Sequence, residues 1–377
     1  MQQYDFAIVG AGIAGVSAAY HLAPQAKVVI LEREHVPAYH TTGRSAALHS
    51  ETYGSPEIRA ITVTAGRFYR EPPAGFADHP LLTPRGALLA GRADQEAEVR
   101  KAAATFAQLV PTVRWLEPAE ALSRQPLLRP EACAGGAVFE HAEDMDVAAI
   151  HAGFLKGARA AGALLRLNAE VVALDRAAGQ WTIRLRGGDT LAAGNLVNAS
   201  GAWADEVAGL AGARPVGLVP KRRTAFTFDA PPGLSLATMP AVIDFDETWY
   251  IKPEVGQILG SPADETPSPP CDAQPEDIDV AIAVDRIQNS TKLQIARIKN
   301  KWAGLRSFVA DKNLVVGYDP AVEGLFWLAG QGGYGIQTAA AAGRLAAGLA
   351  LGKGLPGDIA GLGVAEAALS PGRFTQR

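Results

Sequence analysis

Glycines near the start of the chain have the spacing that brings a backbone turn close to phosphate groups. The motif G-x-G-x-x-G occupies residues 10–15, after the apolar run Tyr4–Val9 and before the helix-like stretch Val16–Leu22. Such glycines permit a tight turn, and the N–H groups of the following helix N-terminus then face a pyrophosphate. Glu32 ends the next apolar run, Lys27–Leu31, and a carboxylate there accepts hydrogen bonds from ribose hydroxyls. The pattern predicts a dinucleotide site, with an ordinary glycine turn as the alternative.

Two further small-residue turns bear on which dinucleotide is bound. Gly43–Ala47 follows the second apolar run, and Gly330–Gly335 precedes the Ala-rich stretch Thr338–Leu351. Each turn predicts backbone N–H groups without partners at a helix start. Those of Gly330–Gly335 would stabilise negative charge on a reduced flavin. Taken alone, either segment is equally compatible with a simple tight turn. A nicotinamide enzyme has no need of a second such helix start, so the pair favours FAD.

The apolar runs predict the elements that would place these turns. Residues 1–34 have the strand–turn–helix–strand order of a βαβ unit, and a group of strands follows at Leu164–Ser200. Helices are predicted at Val147–Gly162 and Asp277–Ile298, and a polar loop at Ser261–Glu276.

Dinucleotide-like signatures therefore stand at both ends of the chain, which predicts an α/β protein with a discontinuous nucleotide domain. We expect a Rossmann-like FAD-binding domain of residues 1–46, 148–219 and 306–377. The inserted substrate domain, of the α+β type and built on an antiparallel sheet, would comprise residues 47–147 and 220–305.

The composition excludes several classes of protein. The 377 residues are 48% hydrophobic and carry a formal net charge of −4, which gives no basic footprint for nucleic acid. Cys133 and Cys271 are the only cysteines, which excludes a disulfide framework and a cysteine-rich metal centre. His40 and His49 lack metal-ligand spacing, so no metal is expected. Neither a signal peptide nor a transmembrane run is recognised, so we expect a cytoplasmic protein, with peripheral membrane association as an alternative.

Motifs along essentially the whole chain resemble those of one family, the FAD-dependent amine and D-amino acid oxidoreductases of the D-amino acid oxidase superfamily. Within that family the motifs are most similar to those of the bacterial D-arginine dehydrogenases. In chain order they are AIVGAGIAG (7–15), LERE (31–34), YHTTGRSAA (39–47), HPLLTPR (79–85), LVNASGAWAD (196–205), PKRRTAF (220–226), WAGLRSFVAD (302–311) and GQGGYGIQT (330–338).

The resemblance implies a noncovalently bound FAD, and neither cysteine lies in a flavin-binding segment. The cofactor contacts that it implies come from the motifs and the strands between them: Gly10, Gly12, Ile13, Ala14, Gly15, Glu32, Arg33, Thr42, Gly43, Arg44, Ser45, Ala46, Val171, Ala199, Gly201, Trp203, Gly304, Gly332, Gly333, Tyr334, Gly335, Ile336, Gln337 and Thr338.

The resemblance also implies a clamp for the substrate carboxylate, formed by Arg223, Arg306 and the hydroxyl of Tyr250. A planar guanidinium binds a carboxylate through two parallel hydrogen bonds and so orients the neighbouring carbon. Arg306 stands among apolar residues, and a buried arginine needs an anionic partner. A structural ion pair with a protein carboxylate is the alternative for either arginine. Tyr53 matches a family tyrosine near the substrate, with a packed lid residue as the alternative.

Two departures from the D-arginine-specific relatives concern the pocket for the substrate side chain. Those relatives have a glutamate where this chain has Ala87, and a histidine where it has Leu48, with His49 one step on. A desolvated cation without a partner is costly. We therefore expect an apolar distal pocket that prefers neutral D-amino acids to D-Arg and D-Lys, unless Glu51 or Asp246 reaches it from a loop.

The predicted activity is oxidative deamination of D-amino acids. A hydride would pass from Cα to flavin N5, and the imino acid would hydrolyse to a 2-oxo acid and ammonia. No acid or base stands out in the sequence, so catalysis would rest on orientation and on the cofactor. Alternatives are oxidation of N-substituted amino acids (opine- or sarcosine-like) or 2-hydroxy acids and, from another class, a noncatalytic electron-transfer subunit. The expected partners are the small-molecule substrate and an electron acceptor, which would be oxygen, a quinone or a carrier.

Overall fold

The computed structural model describes residues 1–374, whose strands form two large sheets and one small sheet. The strands are β1 (Gln2–Val9), β2 (Val28–Leu31), β3 (Leu48–His49), β4 (Leu82–Pro84), β5 (Ala87–Ala90), β6 (Arg114–Leu116), β7 (Gly136–Phe139), β8 (Glu143–Met145), β9 (Leu164–Arg166), β10 (Val171–Ala177), β11 (Gln180–Leu185), β12 (Thr190–Asn198), β13 (Val219–Asp229), β14 (Ala241–Asp244), β15 (Tyr250–Glu254), β16 (Gln257–Ser261), β17 (Thr266–Pro267), β18 (Asn300–Phe308), β19 (Val315–Tyr318) and β20 (Leu325–Ala329). The helices are α1 (Ile13–Leu22), α2 (Pro56–Arg70), α3 (Glu96–Leu109), α4 (Pro118–Arg124), α5 (Val147–Ala160), α6 (Ala204–Leu210), α7 (Asp277–Ser290), α8 (Gly335–Ala350) and α9 (Gly357–Ala360).

The first large sheet has a parallel core of five strands in the order β9, β2, β1, β12, β20. β2 and β20 are buried along their whole length, as expected for parallel strands that are covered on both faces. Helices α1, α2, α5 and α8 pack on one face, and α6 with the antiparallel pair β10 and β11 covers the other. This is the discontinuous nucleotide-binding sheet that the sequence predicts.

The second large sheet has nine strands, with β18 and β13 as its longest pair. The predicted antiparallel arrangement is correct for its ladders except one, because β5 pairs with β14 in parallel. Helix α7 packs against this sheet, α3 packs on Ala87 and Phe139, and residues of β13, β15 and β18 line a cavity together with the turn at Gly12. The predicted fold class, an α/β flavoprotein fold with an inserted α+β unit, is confirmed, whereas the exact domain boundaries remain a prediction.

The third sheet is a three-stranded antiparallel unit in the order β3, β8, β4. Its residue Leu48 packs against the apolar cluster that includes Ala87 and Phe139 of the second large sheet. No helix within residues 1–374 is long and apolar enough to span a membrane.

Candidate active site

The turn between β1 and α1 has no room for a side chain at Gly10 or Gly15, and its backbone forms one wall of a long cavity. Gly10 has φ of +104°, and a Cβ there would stand 2.5 Å from the carbonyl oxygen of Ala199. A Cβ on Gly15 would stand 1.9 Å from the carbonyl oxygen of Gly10. Only glycine fits either position. The turn therefore opens the N-terminus of α1 to the cavity, where Gly12 lines it.

Glu32 is fixed at the end of β2 by the backbone around it. Its Oε2 accepts a hydrogen bond from the N–H of Ala11 at 2.8 Å, and its Oε1 accepts one from the N–H of Glu34 at 3.0 Å. The side chain is buried and lines the cavity. Nearby, the guanidinium of Arg33 lies 4.2 Å from the ring centroid of Trp203. A fixed carboxylate beside a glycine turn is the arrangement that binds ribose hydroxyls.

The opposite end of the cavity is lined by β18 and by the loop before α8. Ser307 faces this end, and its buried Oγ has no hydrogen-bond partner among the described residues. A buried hydroxyl without a partner is costly, so a polar group in the cavity would stabilise it. The glycine turn, the carboxylate of Glu32 and this hydroxyl together fit a dinucleotide with a polar ring system.

The segment around the Gly43–Ala47 turn is hydrogen-bonded directly to β18. The hydroxyl of Thr41 donates to the carbonyl of Leu305 at 2.8 Å. Arg44 Nη1 donates to the carbonyl of Ala303 at 3.0 Å, and Trp302 Nε1 donates to the carbonyl of Arg44 at 2.9 Å. The cofactor cavity and the strand that carries Arg306 are therefore fixed to each other.

Most of the predicted cofactor residues line this cavity. Gln337 instead lines the adjoining cavity described below. Gly15, Gly43, Tyr334 and Thr338 support the walls without lining them. The lining set comprises Gly10, Gly12, Ile13, Ala14, Glu32, Arg33, Thr42, Arg44, Ser45, Ala46, Val171, Ala199, Gly201, Trp203, Gly304, Gly332, Gly333, Gly335 and Ile336.

Arg223 and Arg306 lie on adjacent antiparallel strands, β13 and β18, where Arg223 pairs with Gly304 and Arg306 with Lys221. Both side chains line the cofactor cavity and a second cavity that adjoins it. Arg223 Nε donates to the carbonyl of Asp264 at 2.8 Å, and its Nη2 lies 3.4 Å from Glu265 Oε1.

The guanidinium of Arg306 has no hydrogen bond or ion pair with any residue of the described chain. Burial opposes its charge, but nearby Tyr53, Tyr250 and Glu265 raise its pKa. Burial and then the charge of Arg306 lower the pKa of Arg223. Arginine stays protonated at neutral pH even so, and two neighbouring cations in a cavity favour an anionic ligand.

The two predicted tyrosines also line this second cavity. A Cβ on Gly333 would stand 2.8 Å from the Tyr53 hydroxyl and 3.0 Å from Arg306 Nη1. The glycine before α8 is therefore what leaves space for both groups. The Tyr53 ring packs on Tyr334 at 5.4 Å between centroids. Neither the Tyr53 nor the Tyr250 hydroxyl has a hydrogen-bond partner within residues 1–374, so both are available to a ligand.

The far wall of the second cavity is formed by alternate residues of β5, β14 and β15, as the pleat of a sheet requires. Ala87 and Leu89 lie beside Ala241 and Ile243 in the parallel register. Leu48 lies on the same cavity, and other apolar side chains complete the wall. The lining residues of this wall are Leu48, Ala87, Leu89, Phe106, Phe139, Ala241 and Ile243.

The prediction that His49 belongs to this pocket is wrong. Neighbouring strand residues point to opposite sides, and Leu48 takes the side of the cavity. His49 is fully buried behind it, with Nδ1 3.6 Å from Glu143 Oε2. The candidate loop acids do not reach the cavity either, because Glu51 pairs with Arg70 and Asp246 with Arg92.

Lys252 and Glu247 line the second cavity and were not predicted. Lys252 is nearly buried, whereas Glu247 is exposed on the β14–β15 turn with φ of +52°. The distal pocket is therefore mostly apolar with one buried cation, rather than wholly apolar. Alternation along β15 could have indicated Lys252, because it stands two residues after Tyr250. No comparable pattern in the sequence indicated Ser307.

The chain belongs to the family of FAD-dependent oxidoreductases, whose DAO family model matches residues 5–349. It is a flavoprotein enzyme, and FAD is its cofactor. Over 221 residues it is 29% identical to L-2-hydroxyglutarate dehydrogenase of Escherichia coli (strain K12), a match that covers 56% of this chain and 51% of that protein. The chain thus spans about half the length of that relative. Over 402 residues it is 24% identical to FAD-dependent oxidoreductase domain-containing protein 1 of Bos taurus, covering 93% and 82%.

Solved structures share the whole fold. Glycine oxidase from Geobacillus kaustophilus superposes with a TM-score of 0.80 at 24% identity, covering 94% of this chain and 96% of that one. Iminodiacetate oxidase from Chelativorans sp. BNC1 gives 0.81 at 23% identity, covering 97% and 98%. The superfamily prediction is confirmed. The predicted similarity to D-arginine dehydrogenases is not supported, because the curated relatives found include hydroxy-acid dehydrogenases instead.

Proposed function

We propose that this enzyme oxidises the Cα–N bond of a D-amino acid that lacks a cationic side chain, giving an imino acid that hydrolyses to a 2-oxo acid and ammonia. The observation that carries the proposal is the guanidinium of Arg306, which has no partner in the described chain and lies beside Arg223 where the two cavities meet. A cation pair in this position is suited to a substrate carboxylate.

The two arginines and the tyrosine hydroxyls would position the substrate. With the carboxylate held by Arg223 and Arg306, the neighbouring Cα is directed toward the cofactor cavity, and orientation of this kind lowers the barrier of the reaction. The same positive charges disfavour a substrate ammonium group, so the neutral amine needed for oxidation becomes accessible near neutral pH. FAD supplies the oxidising capacity by accepting two electrons.

The distal wall supports the exclusion of cationic side chains. Ala87 provides no carboxylate there, and Lys252 places a buried ammonium on the same wall. Glu247 is the acid among the lining residues of the described chain, but its exposure to solvent screens its charge. A guanidinium or ammonium on the substrate would therefore lose its hydration at a buried position where no free anion compensates its charge.

FAD is proposed to be bound noncovalently. Cys133 is buried in the core of the second sheet, and Cys271 lies near Ser268, with 3.6 Å between the Sγ and Oγ atoms. Neither thiol lines the cofactor cavity.

Oxidation of a 2-hydroxy acid is a second candidate, and it is favoured by the similarity to L-2-hydroxyglutarate dehydrogenase. The same clamp would hold its carboxylate. An alcohol is far less acidic than an ammonium group, so its oxidation needs a base within hydrogen-bond reach. No histidine of the described chain lines the second cavity, which favours the amine. N-substituted amino acids stay a third candidate, in view of the fold shared with iminodiacetate oxidase.

Anaerobic reduction of the bound flavin distinguishes these candidates. D-glutamate, L-glutamate, N-methyl-D-glutamate and both enantiomers of 2-hydroxyglutarate, which share one side chain, would be mixed separately with the protein in a stopped-flow spectrophotometer. We expect the fastest bleaching with the D-amino acid. Faster bleaching with a 2-hydroxy acid would overturn the proposal in favour of the second candidate, and no bleaching with any compound would indicate an electron-transfer subunit.

A further inference from the structure

Lys252 places a cation on the wall of the second cavity at some distance from the arginine pair. Its side chain is 9% exposed, and Nζ lies 3.0 Å from Asp144 Oδ1 and 3.2 Å from Glu254 Oε2. Asp144 is shared, because Arg85 Nε donates to its Oδ2 at 2.6 Å. The two cations and two carboxylates cancel, so no excess negative charge surrounds Lys252.

The ammonium group retains hydrogen-bonding capacity toward the cavity. An ammonium carries three N–H donors, and the two carboxylates account for two of them. Asp144 and Glu254 do not line the cavity, whereas Lys252 does. A buried donor that faces a cavity gains from an acceptor placed there.

The register of the second sheet puts this donor at the end of a row of small residues. Ala87 pairs with Ala241, and Val242 pairs with Ile251. Continuing that antiparallel register by one step places Lys252 beside Ala241. The two alanines leave space in front of the lysine, and Tyr250 lies two residues earlier on the same strand face, about 7 Å away.

We propose that the row formed by Ala87, Ala241 and Lys252 is a subsite for an oxygen acceptor at the end of the substrate side chain. The substrate class is then a 2-amino acid, or its hydroxy analogue, whose side chain ends in a carboxylate or carboxamide about two carbons beyond Cα. The inference deepens the proposed function, since it assumes that Arg223 and Arg306 hold the other carboxylate. An apolar side chain would leave the third N–H donor of Lys252 without an acceptor.

Ligands that cannot be oxidised test this subsite independently of the reaction. Glutarate carries two carboxylates, glutaramate carries a carboxylate and a carboxamide, and valerate has the same chain length with an apolar end. Their Kd values would be measured on the FAD-loaded protein from the perturbation of the flavin absorption spectrum. The variants are K252M, K252R and, as a matched control, K299M. Lys299 is an ion-paired lysine, 2.9 Å from Asp229, that does not line this cavity.

We expect glutarate or glutaramate to bind at least tenfold tighter than valerate to the unmodified enzyme. K252M should remove this preference while leaving the Kd of valerate within about twofold, K252R should retain most of it, and K299M should change nothing. Which of the two acceptors binds tighter identifies the end group.

Equal or tighter binding of valerate to the unmodified enzyme would overturn the inference, even if K252M does not fold. An equal loss for all ligands in K252M would also overturn it, because Lys252 would then be structural. Tight glutarate binding without flavin reduction by any amino or hydroxy acid would leave the subsite standing and reject the proposed function.

Discussion

At the scale of single residues, the site depends on a cation that the protein itself leaves without a partner. The backbone of Arg306 is fixed by pairing with Lys221 on the neighbouring strand, and the absence of a side chain at Gly333 leaves room for its guanidinium. Arg222, one residue before Arg223, points to the opposite face and pairs with Glu276, which precedes α7, and with Asp279 of α7 at 2.8 Å. Adjacent arginines on one strand therefore have different tasks, one structural and one facing the cavity.

Replacing Arg306 by alanine should remove the main charge-assisted contact to the substrate carboxylate. We expect R306A to lose about 2–4 kcal/mol of transition-state binding, roughly a 30- to 1000-fold fall in kcat/KM, with the flavin spectrum nearly unchanged. R222A is the control, and it should lower the unfolding free energy while keeping kcat/KM within a few-fold. Near-native kcat/KM in R306A would show that this arginine is structural.

Introducing a carboxylate at residue 87 should favour D-Arg only when Lys252 is removed as well. In A87E the new carboxylate has the ammonium of Lys252 in its own row, so the two should pair and leave little charge for the substrate. The double variant A87E/K252M should raise the kcat/KM ratio of D-Arg to D-Met by about 1–3 kcal/mol, or roughly 5- to 150-fold. Steady-state kinetics of both variants check this. A full shift in A87E alone, or an unmodified enzyme that prefers D-Arg more than about tenfold, would contradict it.

The residues that sequence reasoning found are those whose role lies in a local pattern. The glycine turn and Glu32 follow from a spacing within one βαβ unit. The roles of Lys252 and Ser307 depend on which residues lie opposite them in the folded chain. Lys252 lies on β15 and faces the same cavity as Ala87 because β14 pairs with β15 on one side and in parallel with β5, about 150 residues earlier in sequence, on the other. No pattern within either segment encodes that pairing. His49 was misplaced for the same reason, because its side depends on how β3 pairs with β8.

At the scale of elements, the close packing of α1 depends on glycines on both sides of it. Gly15 meets the β1–α1 turn, and a Cβ on Gly343 of α8 would stand 2.6 Å from the backbone of Ser17. The helices thus approach at backbone distance, and this keeps the N-terminus of α1 pointed at the cofactor cavity.

Replacing Gly15 by alanine should therefore abolish cofactor binding. The new methyl group would overlap the carbonyl oxygen of Gly10, and a backbone atom cannot move aside as a side chain can. We expect G15A to lose about 3 kcal/mol or more of unfolding free energy and to purify without FAD. G187A is the matched control, because a Cβ there meets nothing within 4 Å, and it should stay within about 0.5 kcal/mol. Urea unfolding and FAD titration check both variants, and a G15A protein that binds FAD normally would refute the packing argument.

Elements were predictable where the apolar pattern was strong and local. The strands of the first sheet lie close to their predicted positions, and α5 ends two residues before its predicted end. Helix α7 was predicted to reach Ile298 but ends at Ser290. Thr291 is fully buried there and forms a bridge with Leu128. A tertiary contact thus ends a helix that the local pattern would continue.

At the scale of the whole molecule, neutral buried histidines tie folding to pH. Burial lowers the pKa of His49 and of His21 to about 4, and burial also lowers the pKa values of His141 and His151. Above pH 6.5 these groups are neutral in both the folded and the unfolded chain. Between pH 6.5 and about 4, the unfolded chain binds protons at His21 and His49 that the folded chain does not, so stability falls as the pH falls.

We accordingly expect the unfolding free energy to drop by about 1.4 kcal/mol per pH unit below pH 6.5 for His21 and again for His49. Urea unfolding at pH 7.5, 6.0 and 5.0 measures this slope. In H49Q the slope should fall by about one histidine's share, since glutamine does not titrate. The same unfolding free energy at pH 7.5 and 5.0 would mean that these histidines are protonated in the folded protein.

The central claim, that a carboxylate clamp presents an amine to the flavin, is tested most directly by anaerobic reduction with a matched pair of amines. D-glutamine and 4-aminobutanamide share the side chain and the amine, and only the first has a carboxylate. We predict that D-glutamine bleaches the flavin completely, with one equivalent each of 2-oxo acid and ammonia per flavin, at a rate at least 100-fold above that of the decarboxylated amine. Equal rates for the two compounds, or a flavin that dithionite reduces but neither D-glutamine nor D-methionine does, would contradict the account.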